Sequence, residues 1–116
     1  RQTEELLYAS TQVVENKFTG NTTIGVILTN AEFGKASLCK IAGMAQDGYA
    51  RSIRPVHTTA DGDSIYAVSL GTVQADQDLV GTLAAEVMSE AIVRAVTSAD
   101  SAYGYPACQD LTGKQE

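Results

Sequence analysis

The sequence predicts an α/β fold that leaves part of its apolar surface uncovered. Three observations carry this reading. Two short β-branched runs, Thr22–Thr29 and Ser64–Thr72, alternate with two long helical patterns, Lys35–Ser52 and Asp78–Thr97. The first run is continuous rather than alternating, which predicts a strand covered on both faces. The second helix is apolar over more than half of its circumference. A strand pair is marginal alone, and two such helices cannot bury everything these strands present. The chain therefore reads as one part of a larger sheet-and-helix structure, completed by another segment, another subunit or both.

Each element has its own local reason. Residues 3–15 read as a helix, with Leu6, Ser10, Val13 and Val14 at helical spacing and Thr3-Glu4-Glu5 as a start signal. Lys17, Thr19, Gly20 and Asn21 break that pattern into a loop. The first strand follows, and Asn30 to Gly34 turns the chain. In the helix from Lys35 to Ser52, Leu38, Ile41, Ala42, Ala45 and Tyr49 form one stripe. Pro55 cannot continue that helix and pushes Arg54 toward extended geometry. Val56 to Asp63 connects to the second strand, centred on Ile65-Tyr66-Ala67-Val68-Ser69-Leu70. Asp76 is the candidate N-cap of the last helix. Within that helix Gly81, Ala84 and Ala85 would admit another backbone. The tail after Ala99, with Tyr103-Gly104-Tyr105-Pro106, reads as irregular.

Composition narrows the function classes. The chain has 116 residues, 44% of them apolar, with a net charge of −6. An acidic balance without a basic cluster argues against a nucleic-acid groove or an anionic membrane surface. No run approaches the ~20 apolar residues of a membrane span, and Arg1-Gln2-Thr3-Glu4-Glu5 lacks the order of a signal peptide. The two cysteines, Cys39 and Cys108, make neither a disulfide framework nor a zinc pattern, so no metal is expected and a reducing, cytoplasmic location is.

The stretch that carries chemistry is Gly20-Asn21-Thr22-Thr23-Ile24-Gly25-Val26. It sets a hydroxyl residue where a loop meets a buried strand. Were the Asn21–Thr22 bond cut, Thr22 would become a terminus with its α-amine beside its own Oγ. A free α-amine has a pKa near ~8 and accepts a proton at neutral pH. Such a residue is nucleophile and base in one. The cut could be self-inflicted: Thr22 Oγ attacks the Asn21 carbonyl, an ester forms by N-to-O shift, and water releases it. Gly20 would permit the strained turn this needs. Two plainer readings fit the same residues: a threonine opening a strand, and an N-glycosylation acceptor in Asn21-Thr22-Thr23.

Asp61-Gly62-Asp63 precedes the second strand. Carboxylates at i and i+2 in extended geometry point to one side and resist double ionisation when close. They suit a pair that orients the Thr22 amine and tunes its pKa; the plainer reading of these residues is a solvated turn. A calcium loop is disfavoured, because Ile65 stands where a ligand is needed and the closing Glu is lacking. Cys39 with His57 suggests a thiol pair only weakly, since Cys39 lies inside an apolar helix as a small core residue. His57 fits better as a residue positioning the loop that presents Asp61.

From Thr22 to roughly Thr97 the chain resembles the C-terminal part of the DmpA-type peptidases of family S58. The matching pieces run from Gly20-Asn21-Thr22-Thr23-Ile24-Gly25-Val26 through Leu28-Thr29-Asn30-Ala31 and Lys35-Ala36. They continue with Met44-Ala45-Gln46-Asp47-Gly48-Tyr49-Ala50-Arg51, Ile53-Arg54-Pro55-Val56-His57-Thr58 and Asp61-Gly62-Asp63. Asn-Thr-Thr at the junction is most similar to the nylon-oligomer (6-aminohexanoate oligomer) hydrolase branch. The resemblance implies a four-layer αββα sandwich of the DmpA and ornithine acetyltransferase type, completed by an N-terminal segment outside this sequence. It implies a precursor cut once, at Asn21–Thr22, so that 1–21 is the end of the large chain with the processing loop and 22–116 the small chain. Thr22 would be the nucleophile of an N-terminal-threonine aminopeptidase or amidase, with Asp61 and Asp63 as the acidic pair beside it. The lysine, asparagine and tyrosine that complete the site would come from the large segment. No metal or organic cofactor is implied. Assembly would be a homo-oligomer, often a tetramer of the cleaved pair, acting on small peptide or amide substrates. Two rivals remain: an ornithine-type acetyltransferase, whose threonine usually sits in an Ala-Thr-Met-Leu-like context unlike Asn21-Thr22-Thr23-Ile24, and a processing-defective binding or structural subunit.

Overall fold

The computed structural model describes residues 2–10 and 20–112. In chain order they form α1 (Gln2–Ala9), β1 (Ile24–Ala31), α2 (Lys35–Ser52), β2 (Ser64–Val73), α3 (Gln77–Ser98) and α4 (Cys108–Thr112). β1 and β2 pair in parallel, with Val26 opposite Tyr66 and Leu28 opposite Val68. α2 is the crossover between them, so the centre of the chain is a βαβ unit. α3 packs on α2, and the two helices cover one face of the sheet.

The helix boundaries follow from chemistry already visible in the chain. Asp76 caps α3, its carboxylate accepting the Leu79 N–H at 3.1 Å. α2 ends where the Ile53 N–H reaches back to the Tyr49 carbonyl at 2.8 Å, just before the cis Arg54–Pro55 bond. α1 begins one residue earlier than the pattern 3–15 suggests; residues 11–15 of that pattern lie outside the described residues. The tail is more ordered than expected: a short helix, α4, follows the bridge between Ala102 and Tyr105.

The core is Ile27 of β1, Ile41, Ala45 and Tyr49 of α2, and Ala84 and Met88 of α3. Small residues let the two helices meet backbone to backbone. A β-carbon on Gly48 would stand 2.5 Å from the Ala85 carbonyl oxygen and 2.8 Å from Met88 Cβ. Near this contact the Ser52 and Ser89 hydroxyls lie 2.6 Å apart. Gly81, Ala84 and Ala85 are buried, as their size suggested.

Two expectations need correction. β1 is covered on one face only: Ile27 and Ala31 are buried, whereas Ile24 and Leu28 are 68% and 65% exposed. Together with Val26, Tyr66, Val68 and Leu70 they form a bare apolar face opposite the helices. The continuous apolar run describes a strand that needs two covers, and the described residues supply one. Cys39 is exposed rather than a core residue. It precedes Ile41 by two positions, about 200° around a helix of ~3.6 residues per turn, and so lies away from the buried stripe. On α3, Leu79, Leu83, Val87, Val93 and Val96 are likewise exposed.

Candidate active site

The segment around Thr22 is clamped against the loop that leads into β2. The Asn21 N–H donates to the Ala60 carbonyl at 3.1 Å, and the Gly62 N–H donates to the Asn21 carbonyl at 2.7 Å. On the other side of Thr22, the Thr23 N–H donates to Asp63 Oδ1 at 2.9 Å, and the Ser64 N–H to the Thr23 carbonyl at 2.9 Å. The parallel ladder thus runs past the start of β1, and Asn21 pairs with Asp61 as an isolated bridge. Thr22 is exposed while its neighbours on both sides are held. Its hydroxyl lies over Gly62: a β-carbon there would stand 3.1 Å from Thr22 Oγ1.

The two aspartates take different partners. Asp61 Oδ2 accepts the N–H and the hydroxyl of Thr58, each at 2.9 Å, and closes the turn 58–61. The Asp63 side chain is 7% exposed, and its two oxygens face different groups. Oδ1 accepts from Thr23, and Oδ2 lies 3.7 Å from His57 Nδ1. A carboxylate this buried is stable only with such partners. His57 therefore faces Asp63, at the end of the loop that presents Asp61. It occupies φ 59°, the left-handed region that non-glycine residues rarely adopt, and its ring lies beside Tyr49.

Tyr49 is the residue that sequence reasoning missed. Periodicity places it in the apolar stripe of α2 and gives it no role at the site, yet its hydroxyl donates to the Ser64 carbonyl at 2.9 Å and approaches the Thr23 carbonyl at 3.4 Å. It ties the ends of both strands together directly beneath the Thr22 segment. Burial, and secondarily the negative charge of Asp63, pushes the Tyr49 phenol above its ordinary pKa. It therefore remains a donor at neutral pH. Gly25 makes the room: a β-carbon there would stand 2.7 Å from the Tyr49 oxygen. An isolated glycine inside a β-branched strand was the available signal. Among the described residues no group of three or more His, Cys, Asp or Glu side chains is placed to hold a metal ion.

Comparison with known proteins fits this frame. Residues 2–108 match the model of peptidase family S58, and the chain belongs to that family. An uncharacterized aminopeptidase of Mycobacterium leprae is 38% identical over 101 residues, covering 74% of this chain and 28% of that protein. An uncharacterized aminopeptidase of Mycobacterium tuberculosis is 35% identical over 106 residues, covering 78% and 31%. The 6-aminohexanoate-oligomer endohydrolase of Paenarthrobacter ureafaciens is 33% identical over 89 residues, covering 66% and 25%. The chain spans less than a third of the length of these relatives.

Proposed function

We propose that this chain is the small-chain part, with the processing junction, of a self-processing N-terminal-nucleophile hydrolase that cleaves amide bonds in peptides or peptide-like oligomers. The observation that carries the reading is the clamped junction: an exposed threonine held between two anchored residues, next to a buried aspartate. The names of the relatives, aminopeptidase and oligomer endohydrolase, supply the class of bond.

In this reading the Asn21–Thr22 bond breaks and Thr22 gains a free α-amine. That amine takes the Oγ1 proton as the hydroxyl adds to the substrate carbonyl, and returns it to the leaving nitrogen. The acyl group is left on Thr22 Oγ1 as an ester, which water hydrolyses. Asp63 positions the strand through Thr23, and Asp61 holds the loop it pairs with.

The bare sheet face supports a partner layer. A two-stranded parallel sheet with both outer edges unpaired is rarely complete. The larger N-terminal part of a precursor would cover Val26, Leu28, Tyr66 and Val68 and complete a four-layer αββα sandwich, assembled as a homo-oligomer of the cleaved pair. The test is a covalent trap. The full-length assembled protein, quenched during turnover of a 6-aminohexanoate oligomer or a short aminoacyl amide, should carry the acyl mass on the peptide that begins at Thr22. Hydrolysis that persists in Thr22→Ala, or acetyl transfer to ornithine without amide hydrolysis, would overturn the reading.

A further inference from the structure

The proposed self-cleavage needs something to stabilise the charge that develops on the Asn21 carbonyl oxygen. When Thr22 Oγ1 adds to the Asn21 carbonyl carbon, the C=O π electrons move onto that oxygen. The hydroxyl proton goes to the Thr22 nitrogen, the C–N bond breaks, and the carbonyl re-forms as an ester on Oγ1. Water then cleaves the ester, giving the Asn21 carboxylate and the restored hydroxyl. A backbone donor placed at the oxygen before the reaction begins stabilises the intermediate without reorganisation.

We infer that the Gly62 backbone N–H is the oxyanion donor of self-cleavage at Asn21–Thr22. The inference rests on the reading of Thr22 given above and adds the group that polarises the bond. The Gly62 N–H already donates to the Asn21 carbonyl oxygen at 2.7 Å, so a donor stands at that atom before charge develops on it. The same residue faces the nucleophile, since a β-carbon at 62 would stand 3.1 Å from Thr22 Oγ1. Glycine here presents an N–H to the reacting oxygen and leaves the hydroxyl space to turn onto the carbonyl. The loop is fixed from behind by Asp61, whose carboxylate holds Thr58, and the Asp61 N–H itself donates to the Thr58 carbonyl at 3.0 Å. The donor is therefore set in place by Asp61, one of the two carboxylates whose spacing suggested a pair orienting the Thr22 amine.

The experiment replaces the Gly62 amide by an ester in the full-length precursor, which deletes the N–H and keeps the side-chain-free backbone. The same change at Ser64 is the control, because it deletes an equivalent ladder bond, to the Thr23 carbonyl at 2.9 Å. Cleavage is followed by mass. Loss of one oxyanion donor typically slows a reaction about 10²–10³-fold, and the Gly62 ester should fall in that range while the Ser64 ester stays within a few-fold of the natural chain. Equal rates for the two esters would overturn the inference. A second measurement needs no backbone ester: in the assembled Thr22→Ala precursor the Gly62 N–H should resist hydrogen exchange, and exchange at the free-peptide rate would equally overturn the inference. A natural precursor that never cleaves would instead sink the parent reading, so the two failures are distinct.

Discussion

Asp63 accepts the backbone N–H of Thr23 at 2.9 Å, one residue beyond the threonine proposed to act as nucleophile. A buried carboxylate thereby fixes the direction in which the chain leaves Thr22. Its second oxygen faces His57, so the same side chain joins the loop of the cis proline to the start of β1.

Removing that acceptor should loosen the junction. Asp63→Ala leaves the Thr23 N–H without its partner, and hydrogen bonds to charged groups contribute about 1.5–3 kcal/mol. Asp63→Asn retains an acceptor oxygen and should lose less. Urea denaturation of the full-length protein measures the order, and amide hydrolysis by the same variants should fall in parallel. Equal stability for all three proteins would show that the bond does not hold the strand.

Tyr49 gives the pH dependence its sign. Its phenol is raised above the ordinary value of 10.0 by burial and then by Asp63. The unfolded chain releases this proton near that value, whereas the folded chain keeps it to higher pH. The folded state binds more protons in that window, so this contribution is full below about pH 10 and declines as pH rises beyond it. Tyr49→Phe should cost about 1–2 kcal/mol at neutral pH, because the Ser64 carbonyl loses its donor. Above pH 10 the difference between natural and variant proteins should shrink. A difference that grows with alkalinity would contradict the assignment.

Gly48 tests the helix contact. Alanine is favoured over glycine inside a helix by about 0.5–1 kcal/mol. Gly48→Ala should nevertheless destabilise, by about 1–3 kcal/mol as overpacking does, because its methyl would meet the Ala85 carbonyl oxygen. A thermal midpoint raised by the substitution would mean that α2 and α3 do not approach so closely.

Much of this arrangement is legible in the chain. α2 runs over the residues its apolar stripe and Pro55 mark out, and Asp76 caps α3 as its type and place suggest. Such features depend on neighbours within a few positions, so local patterns reveal them. The partners of Asp61 and Asp63 do not. Spacing puts two carboxylates near one another, but Thr58 and Thr23 decide what each one holds, and the second of these is 40 residues away. Tyr49 escaped for the same reason: periodicity gives its face, not the two strand carbonyls its hydroxyl reaches. The exposure of Cys39 was readable from its angle to Ile41, and the apolar composition of the helix concealed it. The bare face of β1 is legible as a need for cover, and among the described residues only α2 and α3 supply a covering layer.

The most direct measurement is the intact mass and N-terminal sequence of the full-length gene product, purified in its assembled form, natural and Thr22→Ala side by side. The account expects two chains from the natural gene, the smaller opening on Thr22 with an unblocked amine, and a single uncut, inactive chain from the variant. An assembled natural protein that hydrolyses amides with the Asn21–Thr22 peptide bond unbroken would contradict it.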